Sequence, residues 1–198
     1  MAFTTNERAA FAPGGTSTDR MLTAALVLAP VLYLAADAVY AFQGWDSGIA
    51  GVLQVLGAIG YGILVLRVAT WIPGGSWLTT GLVLTAVAGA VGNAAYGFEA
   101  IHESFGDTAL VDRDGAAILI KPLGLLFPLS LALVAVAMHR LGRRGPAVAV
   151  LVAAVLWPVA HIANIAPLAV AVNVVLVVAL GSSASVDRDR NQRTIRSG

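Results

Sequence analysis

The chain has 198 residues and a formal net charge of +1; 58% of its residues are hydrophobic and only 12% are charged. Soluble domains carry about a quarter charged residues, so water cannot be the solvent for most of this surface, which has a mean hydropathy of +0.83. The near-zero net charge excludes a polyelectrolyte signal for nucleic acid, and the absence of cysteine excludes disulfides, thiolate metal sites and thiol chemistry.

Residues 1–20 are polar, carry Pro13, Gly14 and Gly15, and read as a flexible tail. Apolar stretches then run over 21–42, over 49–72 up to Pro73-Gly74-Gly75, and over 77–101. A polar loop covers 102–115, and a fourth stretch, 116–138, stops at His139-Arg140 and Arg143-Arg144. The fifth covers 146–164 and the sixth 167–180, before a basic tail over 182–198. Crossing a bilayer core takes roughly 20 apolar residues in helical form. The last two stretches form one run interrupted by His161, Asn164 and Pro167. Proline suits the first turn of a new helix, so the run divides there; one long bent helix, giving five spans, is the alternative. The expected fold is all-α: an integral membrane bundle of six transmembrane helices over 21–181. Ala36-Asp37-Ala38 has the form of a signal-peptide cleavage site, but the apolar run is long for a signal sequence and the acid is out of place there, which favours a span.

Orientation follows from the basic residues. Arg8, Arg20, Arg140, Arg143, Arg144, Arg188, Arg190, Arg193 and Arg196 fall on one side, and Arg67 can snorkel to it, against Arg113 and Lys121 on the other. This places both termini in the cytoplasm. The bias to Ala, Val, Gly and Arg, with Lys121 as the single lysine, points to a bacterial cytoplasmic (inner) membrane. Gly57, Gly60 and Gly62 on the second helix, and Gly81, Gly89 and Gly92 on the third, suit close packing of those two helices. The segment 53–57 (LQVLG) resembles 120–124 (IKPLG), as a duplicated hairpin would.

Depth is the informative property of the polar residues. Asp37, Gln54, Asn93, Glu99, His102, Glu103, Lys121, His161 and Asn164 all fall in the outer half, with Asn173 nearer the midplane. The inner halves hold little beyond Thr79, Thr80, Thr85, Ser130 and Arg67. Ionisable groups in a membrane are costly and face a bundle interior, a partner or water. A polar cavity near the outer face, above an apolar plug, is therefore expected. Helical spacing supports convergence: Asn93, Tyr96, Glu99 or Ala100, and Glu103 share a face, as do Tyr33, Asp37 and Tyr40, and His161 and Asn164.

The expected acid–base or counter-ion groups are Asp37 and Glu99, with His161 as proton shuttle or ligand and Lys121 as their charge partner. Tyr33, Gln54, Asn93, Tyr96, His102, Trp157, Asn164 and Asn173 are the expected ligand contacts. Tyr40 and Trp45 stand at the same level, although Trp45, Trp71 and Trp77 also suit an interfacial belt. His102, Glu103 and Asn164 lie within a turn of helix ends and can instead meet headgroups or water, while Asn93 and Asn173 can serve as interhelical glue. Glu99-x-x-His102 has the spacing used by di-iron bundles, but those need two such motifs, so no metal site is expected and no cofactor is specified. The loop from 104 to 115, with Asp107, Asp112 and Asp114, reads as solvated rather than calcium-binding. P-loop, dinucleotide, H-E-x-x-H and G-x-S-x-G motifs are absent. The leading expectation is binding, with conversion left open, of a small lipophilic or amphipathic molecule. Secondary transport of a small solute and a non-catalytic sensor or accessory subunit are the alternatives. The lipid bilayer is the surrounding partner, and such a small bundle is compatible with a homo-oligomer.

The charge bias makes a direct prediction. A single cysteine at Thr108 should react with a membrane-impermeant maleimide added to intact cells or right-side-out vesicles. One at Gly142 should react only after permeabilisation. The reverse pattern would invert the topology.

Overall fold

The computed structural model describes residues 16–73 and 75–196; of the expected flexible tail over 1–20, residues 1–15 lie outside the described residues, and 17–20 are helical at the start of α1. Helices α1 (Ser17–Gln43), α2 (Gly48–Thr70), α3 (Trp77–Glu103), α4 (Ile120–Arg140), α5 (Arg144–Ile162) and α6 (Ala166–Arg196) carry the fold. Six helical segments are long and apolar enough to cross a membrane, that of α6 being Ala166–Ser185, and no strand occurs among the described residues. The chain is a membrane-type helical bundle.

Local chemistry explains where the helices begin and end. Thr16 and Asp19 form a reciprocal capping box at the start of α1, the Asp19 N–H donating to Thr16 Oγ1 over 3.2 Å. Ser47 and Ser76 cap α2 and α3 through their hydroxyl oxygens. The long apolar run near the C-terminus does divide. Asn164 adopts φ +52° and the Ile165 N–H donates back to the Ala160 carbonyl over 2.7 Å, which closes α5 in a Schellman-type turn. Pro167 then falls in the first turn of α6, so the single bent helix is not formed.

Each helix packs on its neighbours in sequence, and α6 closes the ring against α1. At one end, Arg67 on α2 meets Asp19 on α1 at 3.3 Å, and the guanidinium of Arg143, just before α5, lies 4.4 Å from the ring centre of Trp71. This is the end from which α1 starts, called here the terminal face. The half of the bundle nearest it is packed with apolar side chains, among them Leu26, Leu64, Leu82, Leu131, Val134, Met138 and Leu180, all at most 1% exposed. Of its few hydroxyls, Thr85 donates to the Gly81 carbonyl and Ser130 to that of Phe127, and Ser130 also meets the Tyr61 hydroxyl of α2 at 3.2 Å. Leu28, Ile59, Leu84, Val87, Val155 and Val178 point outward, as a lipid-facing surface requires.

The glycines assist different pairs of helices from the expected one. Gly57 and Gly60 receive Tyr33 and Ala29 of α1, whereas Gly89 and Gly92 lie against the α4 backbone at Phe127 and at Leu123–Gly124. The α2–α3 crossing is made instead by Gly51 and Gly97, whose carbonyls approach each other's α-carbons. Gly spacing reveals a small-residue face but not which neighbour it meets. The proposed hairpin duplication is not reflected in environment, since Gln54 is buried and Lys121 exposed.

A β-carbon at Gly92 would collide with the backbone of Leu123 and Gly124, which no rotamer change can relieve. Gly92→Val should therefore cost about 1–3 kcal/mol or more. Gly62→Ala, with nothing within 4 Å of the added carbon, should leave stability unchanged or raise it by up to about 1 kcal/mol. Thermal unfolding in detergent measures both, and equal effects would refute the packing assignment.

Candidate functional site

At the face opposite the termini the ring opens into a cavity of about 670 Å³. Phe127, on α4, is buried and packs its ring against Tyr33, Tyr61 and the cavity-lining Trp157 at centroid distances of 5.1, 4.6 and 5.0 Å. The walls carry Tyr40, Trp45, Gln54, Tyr96, Glu99, Glu103, Lys121, Trp157, His161 and Asn164. Of the expected site residues, the structure thus brings Gln54, Tyr96, Glu99, Lys121, Trp157, His161 and Asn164 to one cavity. Tyr96, Glu99, Ala100 and Glu103 line it from successive turns of α3, as their spacing requires.

Asp37 is buried behind this wall and does not line the cavity. Its Oδ2 accepts from Asn173 Nδ2 over 2.5 Å, and its Oδ1 lies 3.3 Å from His161 Nε2. His161 Nδ1 lies 2.9 Å from the Trp157 carbonyl. That carbonyl can only accept, so Nδ1 carries a proton. Two lone pairs cannot face each other between Nε2 and Oδ1, so one further proton sits between them. The pair is either imidazolium with carboxylate or neutral imidazole with carboxylic acid; in both forms it has no net charge. With both nitrogens engaged, His161 has none left to coordinate a metal or contact a ligand in this arrangement. Its ring, stacked on Trp157 at 4.0 Å and edge-on to Trp45 at 5.9 Å, forms wall instead.

A second network fixes the opposite wall. Tyr40 donates to Gln54 Oε1 over 2.6 Å, Gln54 Nε2 to the Asn93 carbonyl over 3.2 Å, and Asn93 Nδ2 to the Tyr33 hydroxyl over 3.1 Å. Tyr33, Asn93 and Asn173 therefore tie helices together below or behind the cavity. His102 turns away from it, its Nδ1 lying 3.4 Å from Asp107 Oδ2 in the following loop. The Glu99-x-x-His102 spacing accordingly does not converge. No group of three or more His, Asp or Glu close enough to hold a metal occurs among the described residues.

Glu99 is the buried carboxylate of the cavity wall. It is 5% exposed; Oε1 accepts the Val111 N–H over 2.9 Å, while Oε2 is buried without a partner. Trp157 Nε1, a buried donor, also lacks a partner. The bond to Val111 folds the connection between α3 and α4 back over the bundle, and Val111 itself lines the cavity. This part of the loop is therefore not simply solvated. Its polar composition gave no sign of this. Trp45 is likewise part of the wall rather than only an interfacial anchor, packing 4.8 Å from Tyr40. The small residues Ala100 and Gly124 also line the cavity, and they carried no chemical signal by which the sequence could reveal them.

The proton-sharing arrangement predicts an asymmetry between substitutions. An asparagine at Asp37 can donate to Nε2 of neutral His161 while still accepting from Asn173, so Asp37→Asn should retain stability within about 1 kcal/mol. Asp37→Ala removes the partner of His161 Nε2 and the shorter of the two bonds made by Asn173 Nδ2, and should cost roughly 2–4 kcal/mol. Equal damage from both, measured by thermal unfolding, would mean that the charged pair is indispensable. No family model, curated protein or solved structure matches this chain, so a functional reading rests on the chemistry of the cavity itself.

Proposed function

We propose that this is a multi-pass protein of the bacterial cytoplasmic membrane, with both termini cytoplasmic, that binds a small lipophilic or amphipathic molecule in the cavity, at the periplasmic end. The observation that carries this reading is the free oxygen of Glu99. A buried polar group without a partner costs about 1–3 kcal/mol, and more if charged. The other carboxylate buried in this half, Asp37, has partners for both oxygens. A ligand donor at Glu99 Oε2 would recover what the empty fold forgoes. The volume of about 670 Å³ falls within the range of roughly 300–1,000 Å³ typical of small-molecule sites. Aromatic walls with a few polar groups are also what such sites use.

In this reading Glu99 is the polar anchor, Lys121 and Glu103 set the charge of the cavity, and Gln54, Tyr96, Trp157 and Asn164 contribute walls. Asp37 and Asn173 hold His161, Tyr33 and Asn93 tie α1 to α3, and His102 holds the loop. The engaged nitrogens of His161 favour binding over conversion. Acid–base chemistry would instead run through Glu99, whose Oε2 is unoccupied. The packed half beneath Phe127 favours binding over passage, because transport would require Leu64, Leu131 and Val134 to part.

The test is to purify the protein from its native membrane in a mild detergent and look for co-purifying small molecules by native mass spectrometry. An adduct is expected on the wild type and should be lost from Ala100→Phe, which places a ring in the cavity. An unchanged adduct on an Ala100→Phe protein with wild-type unfolding behaviour would remove the cavity as its site.

A further inference from the structure

We infer that the cavity takes an amphiphile with a protonated amine head, which rests on Glu99 among the aromatic walls, and an apolar tail that leaves the bundle between α4 and α5. This rests on the binding reading above and adds the ligand class and its route.

The charge of the cavity selects the head. Glu99 and Glu103 stand against Lys121, and the Asp37–His161 pair, which shares one proton, contributes no net charge. With both glutamates ionised, one negative charge remains. A cationic N–H group neutralises it and donates to the unpartnered Oε2 of Glu99. Tyr40, Trp45, Tyr96 and Trp157 line the same space, and the faces of such rings attract cations. A carboxylate or sulfonate head would add a negative charge next to Glu99.

Exposure selects the route. On α1 and α2 the lining residues Tyr40 and Gln54 are buried, and on α3 Glu99 and Ala100 are buried while Tyr96 and Glu103 are half-buried. On α4 and α5 the lining residues Leu125 and Ile162 are 51% and 72% exposed, and Lys121 is also exposed. The most exposed apolar side chains of the lining therefore belong to α4 and α5, which places the route between these two helices. The flank of a membrane bundle faces lipid, so a tail leaving there enters hydrocarbon while its head stays at Glu99.

Quenching of tryptophan fluorescence tests this. In a Trp71→Phe/Trp77→Phe background the remaining tryptophans, Trp45 and Trp157, both line the cavity. The protein in phosphatidylcholine nanodiscs is titrated with 12-bromododecylamine, 12-bromododecanol and 12-bromododecane sulfonate at pH 7. Saturable quenching by the amine, reversed by unbrominated dodecylamine and at least tenfold tighter than for the other two, is expected. Glu99→Gln keeps an acceptor for the Val111 N–H and should weaken amine binding about tenfold or more without changing that of the alcohol. Leu125→Phe/Ile162→Phe, at the seam, should weaken the binding of every tailed probe.

Equal binding of the three heads, or tighter binding of the sulfonate, overturns the amine assignment and leaves the cavity reading standing. So does amine binding that Glu99→Gln leaves unchanged. Absence of saturable quenching by any probe overturns both. If Glu99→Gln does not fold, the comparison of heads on the Glu99 protein decides.

Discussion

A carboxylate placed among membrane-type helices has to find its partners inside the fold, and Asp37 does so by joining α1 to α5 and α6. Its two oxygens meet His161 and Asn173, residues more than 120 positions away along the chain. The ring of helices closes at α1 and α6, and this cluster lies at that closure. Leaving such a group unpaired costs several kcal/mol, so alternative packings of six similar apolar helices are penalised. Nonpolar contacts alone discriminate poorly among them, because lipid tails are as apolar as leucine. The same cluster fixes His161, whose ring in turn stacks on Trp157, and so one wall of the cavity follows from the position of one acid.

Most polar residues of this half serve the architecture in the same way. Tyr40, Gln54, Asn93 and Tyr33 form a continuous chain across α1, α2 and α3. His102 and the first oxygen of Glu99 hold the connection between α3 and α4. Two polar atoms of the cavity wall are left without partners, Glu99 Oε2 and Trp157 Nε1. One accepts and the other donates. Phe127 packs against Trp157 and the apolar half lies beyond it, so what the cavity receives is decided by the residues that line it.

Much of this was legible in the sequence, at a particular level of detail. Hydropathy and Pro167 located six spans, and the depth of Asp37, Glu99, Lys121 and His161 indicated one polar layer. Helical spacing grouped Tyr96, Glu99 and Glu103 correctly because neighbours on a helix face are fixed by its pitch. It could not assign rotation about each helix axis. Asp37 and Glu99 looked equivalent in sequence, yet one is enclosed by α5 and α6 and the other borders open space. Gly89 and Gly92 were legible as a close-packing face, but their partner, the backbone of α4, depends on the order of helices around the ring. Trp45, between α1 and α2, had the position of an interfacial anchor, and only the inward turn of that connection against His161 made it wall.

An experimental density map of the protein purified from its native membrane, at a resolution that separates side chains, bears most directly on the central claim. Elongated non-protein density is expected in the cavity, with one end within hydrogen-bonding distance of Glu99 Oε2 and the other emerging between α4 and α5. A cavity collapsed onto its own side chains, with Glu99 paired to a neighbouring protein group, would contradict it.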